Sequence, residues 1–482
     1  MSLGDLHEVL PDDEIAELLD AAAKPAQRCI RLRPDRIGIE PLPMAVEAVP
    51  WFPRGRLLVD SSLRPSQSLQ FAAADYYIQD AGSLLALALL DVQPHEAICD
   101  LCASPGGKAS GIVESLGEHG FLIANEVIAS RASILRYALS RTGSPRYAVA
   151  QQEPEVIADR FSGLFDAVLV DAPCSGQTMV GRGKRDSNAF DTKQIEHSAK
   201  RQQRILLEAV KLLKPGGRLV YSTCTFSVEE NEDQIRFLHQ HFPDSWEPIQ
   251  SSQLAKWASP IEEGCYRLWP HRDATSGAFA AGVVLKKELD FRFEPSTFRK
   301  PRRQHAVDVS RRRKPFDVKL ETVLSSLGEV SSLNTKHSAS GFISAIASDA
   351  PSEIVKRLVD QERIVLATER QNIIKPEFAL AMLASHWFQP IDRIDIREKS
   401  ATQFMLGQAM SIESFTKNHV SQGDIGQISP LNDGWKVVTW HNKPLGWAKY
   451  AGNRFNNHLP KHAILPIPPI DSITSPSPMF CE

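Results

Sequence analysis

Two cysteines carry the strongest chemical signal in the sequence. Cys174 follows Val168-Leu169-Val170-Asp171-Ala172-Pro173, and Cys224 closes Tyr221-Ser222-Thr223-Cys224. Each comes just after a short apolar run of strand character. A thiolate is intrinsically nucleophilic and its pKa is set by its surroundings, so a cysteine at the mouth of a sheet can form a transient bond to a substrate. Most cysteines are instead buried and inert. The other five are Cys29, Cys99, Cys102, Cys265 and Cys481. Cys99 and Cys102 form a C-x-x-C inside an apolar run, with no second pair at metal-ligand spacing. They read as buried structural thiols, and no metal site is expected. An odd count of 7 at irregular spacing argues against a disulfide framework.

A second group reads as a ligand cradle. In Ile98-Cys99-Asp100-Leu101-Cys102-Ala103-Ser104-Pro105-Gly106-Gly107-Lys108 a strand gives way to a glycine turn and then a helix. Gly106 and Gly107 allow positive φ and close backbone approach, and the amides of a helix N-terminus face whatever sits there. The spacing is neither that of a phosphate-binding P-loop nor G-x-G-x-x-G. Glu126 and Asp171 close later strands, and Glu153 falls just past another. Open α/β sheets bind ligands at the carboxyl ends of their strands, where an acid can take ribose hydroxyls.

The elements that must position these groups alternate along residues 86–288. Strands are predicted at Ala97–Leu101, Gly120–Glu126, Tyr147–Gln151, Phe165–Asp171, Arg218–Cys224, Cys265–Trp269 and Ala278–Lys286. Helices are predicted at Lys108–Leu116, Ile128–Ser140, Thr192–Leu213 and Val228–His241. Such alternation implies a doubly wound parallel sheet. The last two strands have no helix between them, so one should be antiparallel. Cys174 and Cys224 follow neighbouring strands, and their thiols should meet over the ligand crevice. Position alone leaves open which of the two attacks.

The flanks are less specific. Residues 1–85 read as mixed helix and strand. In Arg28-Cys29-Ile30-Arg31-Leu32-Arg33, period-two alternation puts Arg31 and Arg33 on one strand face. That face would either meet phosphate or be the solvated side of an edge strand. Residues 289–352 read as a connector, with Arg299–Arg303 and Arg311–Lys314 basic and a Ser-rich stretch after them. Such runs are usually flexible and solvated, though a basic tether also suits phosphate. Residues 353–482 form a last domain in which Trp435–Trp440 and Leu445–Lys449, joined through His441–Pro444, read as a hairpin. Its interleaved aromatic and basic residues would serve either RNA stacking or a small β core.

Net charge is −3, so any nucleic-acid contact must come from local basic patches. With 42% apolar residues the chain can build a real core. The acidic N-terminus does not resemble a signal peptide, and the longest apolar run, Leu84–Leu90, is too short to span a bilayer. A cytoplasmic protein is expected.

Pro105-Gly106-Gly107-Lys108, Asp171-Ala172-Pro173-Cys174-Ser175-Gly176 and Ser222-Thr223-Cys224-Thr225, followed by Glu229-Glu230-Asn231-Glu232, resemble the Nop/Sun family of RNA 5-methylcytosine methyltransferases. The likeness covers roughly residues 25–288. The stretch from Pro444 to Pro460 resembles the PUA-like tail of the bacterial 16S rRNA members. The resemblance implies a Rossmann-like class I methyltransferase sheet, with an N-terminal α+β RNA-recognition region and a C-terminal PUA-like domain.

It also implies roles. Cys224, in the T-C motif, would be the nucleophile, and Cys174, in the P-C motif, would assist product release. Cys102, Ala103, Ser104, Pro105, Gly106, Gly107 and Lys108 would hold the methionine part of S-adenosyl-L-methionine. Glu126 would take the ribose. Glu153 stands where the family usually has an aspartate near the adenine, and Asp171 would lie near the methyl donor and the base. DNA cytosine methyltransferases attack with a P-C cysteine, so having both motifs is the RNA pattern. The expected partner is rRNA, naked or within the small ribosomal subunit, with tRNA as the alternative. A silent RNA-binding assembly factor is the reading from another class. One chain suffices for the site, so a monomer is expected.

Overall fold

The computed structural model describes residues 6–36, 42, 44–60, 62–182, 187–286, 324–371, 373–384, 386–411 and 432–465. Both basic runs, Arg299–Arg303 and Arg311–Lys314, lie outside the described residues, as does Cys481.

After helix α1 (Asp12–Ala22) comes a four-stranded sheet, in the order β2 (Val46–Ala48), β3 (Gly55–Leu58), β1 (Cys29–Leu32), β4 (Tyr76–Gln79). Strand β1 is central and antiparallel to both neighbours. Ile30 and Leu32 pack with Leu58 and Tyr76 on one face. Arg31 faces the other way and is fully buried. The expectation of a basic face meeting phosphate or solvent is therefore wrong for Arg31. Period two fixed which residues share a face, but not that a helix covers it.

Helix α2 (Leu69–Ala72) leads to β4, and α3 (Leu84–Leu90) follows it. Six of the seven α3 residues are buried. A helix apolar on all sides belongs inside a protein, and α3 packs against the central sheet.

The central sheet has 8 strands. Its members are β5 (Ala97–Asp100), β6 (Phe121–Asn125), β7 (Tyr147–Ala150), β8 (Phe165–Asp171), β9 (Leu213–Thr223), β10 (Trp246–Pro248), β11 (Cys265–Leu268) and β12 (Ala278–Leu285). The order is β10-β12-β9-β8-β5-β6-β7, with β11 on β12. Strands β5 to β9 pair in parallel, whereas β10, β11 and β12 pair antiparallel. The helices between are α4 (Gly107–Ser115), α5 (Ala129–Ser140), α6 (Pro154–Phe161), α7 (Thr192–Lys211) and α8 (Glu232–His241). The strands are buried on both faces, as a parallel sheet requires. Ile98, Leu122 and Leu169 fill one side; Cys99, Ile123 and Val168 fill the other.

The stretch read as a connector is folded from residue 324 onward. Strands β13 (Gly328–Val330), β14 (Leu333–His337) and β15 (Phe342–Ala347) precede β16 (Ile364–Arg370), β17 (Ile373–Pro376) and β18 (Phe388–Pro390). A sheet in the order β14-β15-β16-β17 runs across the expected boundary at 353. Serine content suggested a linker, yet Ile343, Ala345 and Ile346 are fully buried, and Ser344 is small enough to be buried among them.

The last module holds β19 (Arg393–Asp395), β20 (Met410–Ser411), β21 (Gly434–Trp440), β22 (Lys443–Ala451) and β23 (Arg454–Asn457). The predicted hairpin is the β21–β22 pair. Most of the module's aromatic residues are core: Trp440, Trp447, Tyr450 and Phe455 are buried, and Trp435 is half-buried. They hold the sheet together rather than offering a platform for bases.

Candidate active site

The site sits at the carboxyl ends of β5, β6, β8 and β9. In the β8–β9 pair Asp171 lies opposite Ser222, so Cys174 and Cys224 overhang the sheet side by side. Their sulfurs are 3.2 Å apart, and the Cys224 amide donates to Cys174 Sγ at 3.4 Å. Cys174 is buried, and Cys224 is half-buried. The expected meeting of the two thiols is what the structure shows.

A buried network holds the two loops at this separation. Glu230 is fully buried and accepts from the Ser175 amide and from Gln202 Nε2, both at 2.9 Å. Gln202 also donates to the Pro173 carbonyl at 3.1 Å, and Ser175 Oγ lies 3.0 Å from Thr225 Oγ1. Glu230 thus ties the loop after β8 to the loop after β9. Asn231 pins the second loop from below, accepting from Thr223 Oγ1 at 2.5 Å and donating to the Thr225 carbonyl at 3.1 Å. The sequence reading quoted Glu230 and Asn231 within a motif but gave them no role. It missed Gln202, in mid-helix α7, altogether.

The two thiols are electrostatically unlike. Cys224 is drawn below the ordinary thiol range, first by its hydrogen bond with Cys174 and further by the Lys108 ammonium and Thr178; burial and Asp171 oppose this. Cys174 is pushed well up, by its bond with Cys224 and by burial. The asymmetry favours the thiolate on Cys224 and the proton on Cys174. Lys108 Nζ pairs with Asp171 Oδ1 at 2.8 Å, and that oxygen also accepts from Ser222 Oγ at 2.8 Å. Burial works against the Lys108 charge, but the charge and hydrogen bond of Asp171, together with Cys224 and Asp100, hold its pKa above the ordinary value.

The glycine turn lies alongside. Gly106 has φ +110°, and a Cβ there would stand 2.7 Å from the Ala138 Cβ. Only glycine fits on both counts. Gly107 has no positive φ; it is the first residue of α4, and a Cβ there would crowd Gln79 and Tyr77. Its glycine serves packing, which corrects the reading that both glycines serve positive φ. The turn is fastened to β6 and α5: the Ala103 amide donates to the Asn125 carbonyl at 2.9 Å, and Arg131 Nη2 donates to the Ser104 carbonyl at 3.1 Å.

Beneath it lies Asp100, fully buried, with neither carboxylate oxygen in a standard hydrogen bond. Burial and then the Asp171 charge push its carboxyl up to about 8. This acid was read only as part of the strand. Burial and the charges of Asp100, Asp171 and Glu126 push the Cys102 thiol up, so it stays protonated. Glu126 is buried at the end of β6, where it accepts from the Ile128 amide at 2.9 Å and faces Arg131 at 3.4 Å. Glu153 lies exposed at the start of α6, beyond β7 and apart from the thiols.

Comparison with known proteins shows what the chain is similar to. A family model described as 16S rRNA methyltransferase RsmB/F matches residues 87–284, and one described as Methyltransferase RsmF PUA domain matches 392–465. Over residues 87–284 the chain is similar to the RsmB/F methyltransferases, and over 392–465 to the PUA domain of RsmF. Its core is the Rossmann-like sheet of these methyltransferases, and its last module is a PUA domain. The chain is 26% identical over 463 residues to Ribosomal RNA small subunit methyltransferase F of Shewanella piezotolerans, covering 93% of each chain. Among solved structures, a methyltransferase homolog protein from Pyrococcus horikoshii is 28% identical with a TM-score of 0.50, covering 58% of this chain and 93% of that one. NSun6 of Pyrococcus horikoshii shares the fold at 19% identity and a TM-score of 0.52, over 59% of this chain and 97% of that one. Among the described residues no helix of this methyltransferase is long and apolar enough to cross a membrane.

Proposed function

We propose that this methyltransferase methylates C5 of a cytidine in 16S rRNA through a covalent bond between Cys224 and C6, with S-adenosyl-L-methionine as methyl donor. The observation that carries the reading is the thiol pair at 3.2 Å, with Cys224 favoured as thiolate and Lys108 and Asp171 beside it. The rRNA substrate rests on the family description and on the names of the relatives.

The residues present fit the donor. Gly106 and Gly107 add no side chains to the turn, and the acidic side chains of Asp171 and Glu126 at the strand ends suit a cationic sulfonium ligand. Neither Asp100 oxygen makes a standard hydrogen bond, which leaves buried polar capacity under the turn. Residues 102–108 would hold the methionine part, Glu126 the ribose, and Glu153 the neighbourhood of the adenine. When bound, the donor supplies an electrophilic methyl group.

Cytosine C5 is a poor nucleophile. Addition of the Cys224 thiolate to C6 turns C5 into an enamine-like carbon that can be methylated. A base then takes the C5 proton; the C5–H electron pair forms the C5–C6 double bond, and the C6–S pair returns to Cys224. Cys174, in contact with that sulfur, serves release. The base must leave its stack to reach the thiol.

Bisulfite sequencing of total RNA from cells with and without this protein tests the reading. A 5-methylcytosine lost from 16S rRNA is expected. Loss only from tRNA would move the substrate, and no loss would sink the enzyme reading.

A further inference from the structure

The N-terminal sheet meets the glycine turn through one buried guanidinium. Arg31, on β1, donates through Nε and Nη2 to the two oxygens of Glu114 at 3.1 and 2.9 Å, and through Nη2 to Ser110 Oγ at 2.9 Å. Its Nη1 donates to Gln79 Oε1 at 2.6 Å and to the Gly107 carbonyl. Glu114, Ser110 and Gly107 all belong to α4, and Gly107 immediately precedes Lys108.

Two glycines one turn apart make this reach possible. A Cβ on Gly107 would stand 3.2 Å from Gln79 Oε1 and 3.3 Å from Tyr77 Cε1. One on Gly111 would stand 2.6 Å from Leu87 Cδ1 and 3.1 Å from Arg31 Nη1. Their bare backbone is a groove in which the guanidinium reaches a helix carbonyl that Ser110 Oγ also donates to, at 3.2 Å.

We propose that Arg31 is a positioning residue for the methyl donor. Through the Gly107 carbonyl and Ser110 it fixes the first turn of α4, and with it the Gly106 turn and Lys108. Donor affinity is then set partly by a strand outside the methyltransferase sheet. The proposal rests on reading residues 102–108 as the donor site.

Arg54 provides the control. It shares Glu114, at 2.9 Å, but its other contacts on α4 are Ser115 Oγ at 2.7 Å and the Gly111 carbonyl at 3.4 Å, farther along the helix from the turn. Calorimetric titration of the full chain with S-adenosylhomocysteine is the experiment, with melting temperature and KM for RNA read alongside. Arg31→Gln should raise Kd about tenfold or more, since a small misplacement of a binding group is amplified. Arg54→Gln should lower the melting temperature and leave Kd unchanged. Gln79→Ala, which keeps every charge, should raise Kd in the same direction and carries the test if Arg31→Gln does not fold. Parent-like Kd in the folded Arg31→Gln protein, or in Gln79→Ala where the first variant fails, overturns the proposal. If the parent protein itself binds nothing, the donor-site reading falls and takes this one with it.

Discussion

At the residue scale, the proposed chemistry turns on the asymmetry between two sulfurs in contact. The Cys174 bond, with Lys108 and Thr178 behind it, favours the Cys224 thiolate over the opposing effects of burial and Asp171. Alkylation of Cys224 by iodoacetamide should therefore rise with pH through a midpoint below that of an ordinary thiol. Cys174→Ala removes the main favourable contact and should move that midpoint up; an unmoved midpoint would show that the pair is not coupled.

Asp100 gives a second pH signature. Its folded pKa, about 8, lies above the ordinary 3.8, so the folded state keeps a proton that the unfolded chain releases. Stability contributed by the protonated form is complete below 3.8 and is lost as pH rises toward 8. Asp100→Asn should remove that slope in thermal melts, and an unchanged slope would place the ionisation elsewhere. The cysteines and the glycine turn were legible because residue type and strand-end position sufficed. Glu230, Gln202 and Asp100 were not, because their roles depend on partners in distant segments that no local pattern names.

At the element scale, the sheet was readable because buried parallel strands are short apolar runs with helices between them. Strand β8 was bounded at both ends by the sequence alone, Phe165–Asp171. Strand β1 was misjudged because alternation tells which residues share a face and not what covers it. The Ser-rich stretch was misjudged because composition averages over Ile343, Ala345 and Ile346, which decide its burial. The turn before α4 is the element under most constraint. Gly106→Ala would need both positive φ and room that Ala138 occupies. It should cost about 1–3 kcal/mol of stability and weaken donor binding, read by thermal melts and calorimetry. A stable variant with parent-like affinity would show that the turn can relax.

At the scale of the whole molecule, ion pairs tie the modules together. Lys443 of β22 pairs with Asp75, just before β4, at 2.8 Å with both side chains nearly buried. Arg146 meets Asp349 through two bonds of 3.1 Å, and Arg160 meets Glu362. The first pair joins the PUA domain to the N-terminal sheet; the others join the methyltransferase sheet to the module of β13–β18. Breaking a buried pair on one side costs about 3–5 kcal/mol. Lys443→Met should therefore turn a single calorimetric transition into two, with the PUA domain melting first. One unshifted transition would mean that this contact does not couple the modules. None of these pairs was legible in the sequence, since their partners lie more than 200 residues apart.

In the proposed reaction Cys224 attacks and Cys174 releases. Denaturing gel electrophoresis of the protein with its RNA and S-adenosyl-L-methionine tests it directly. Cys174→Ala should accumulate a covalent RNA–protein adduct, and adding Cys224→Ala should abolish it. An adduct that forms in Cys224→Ala alone would contradict the account and assign the attack to Cys174.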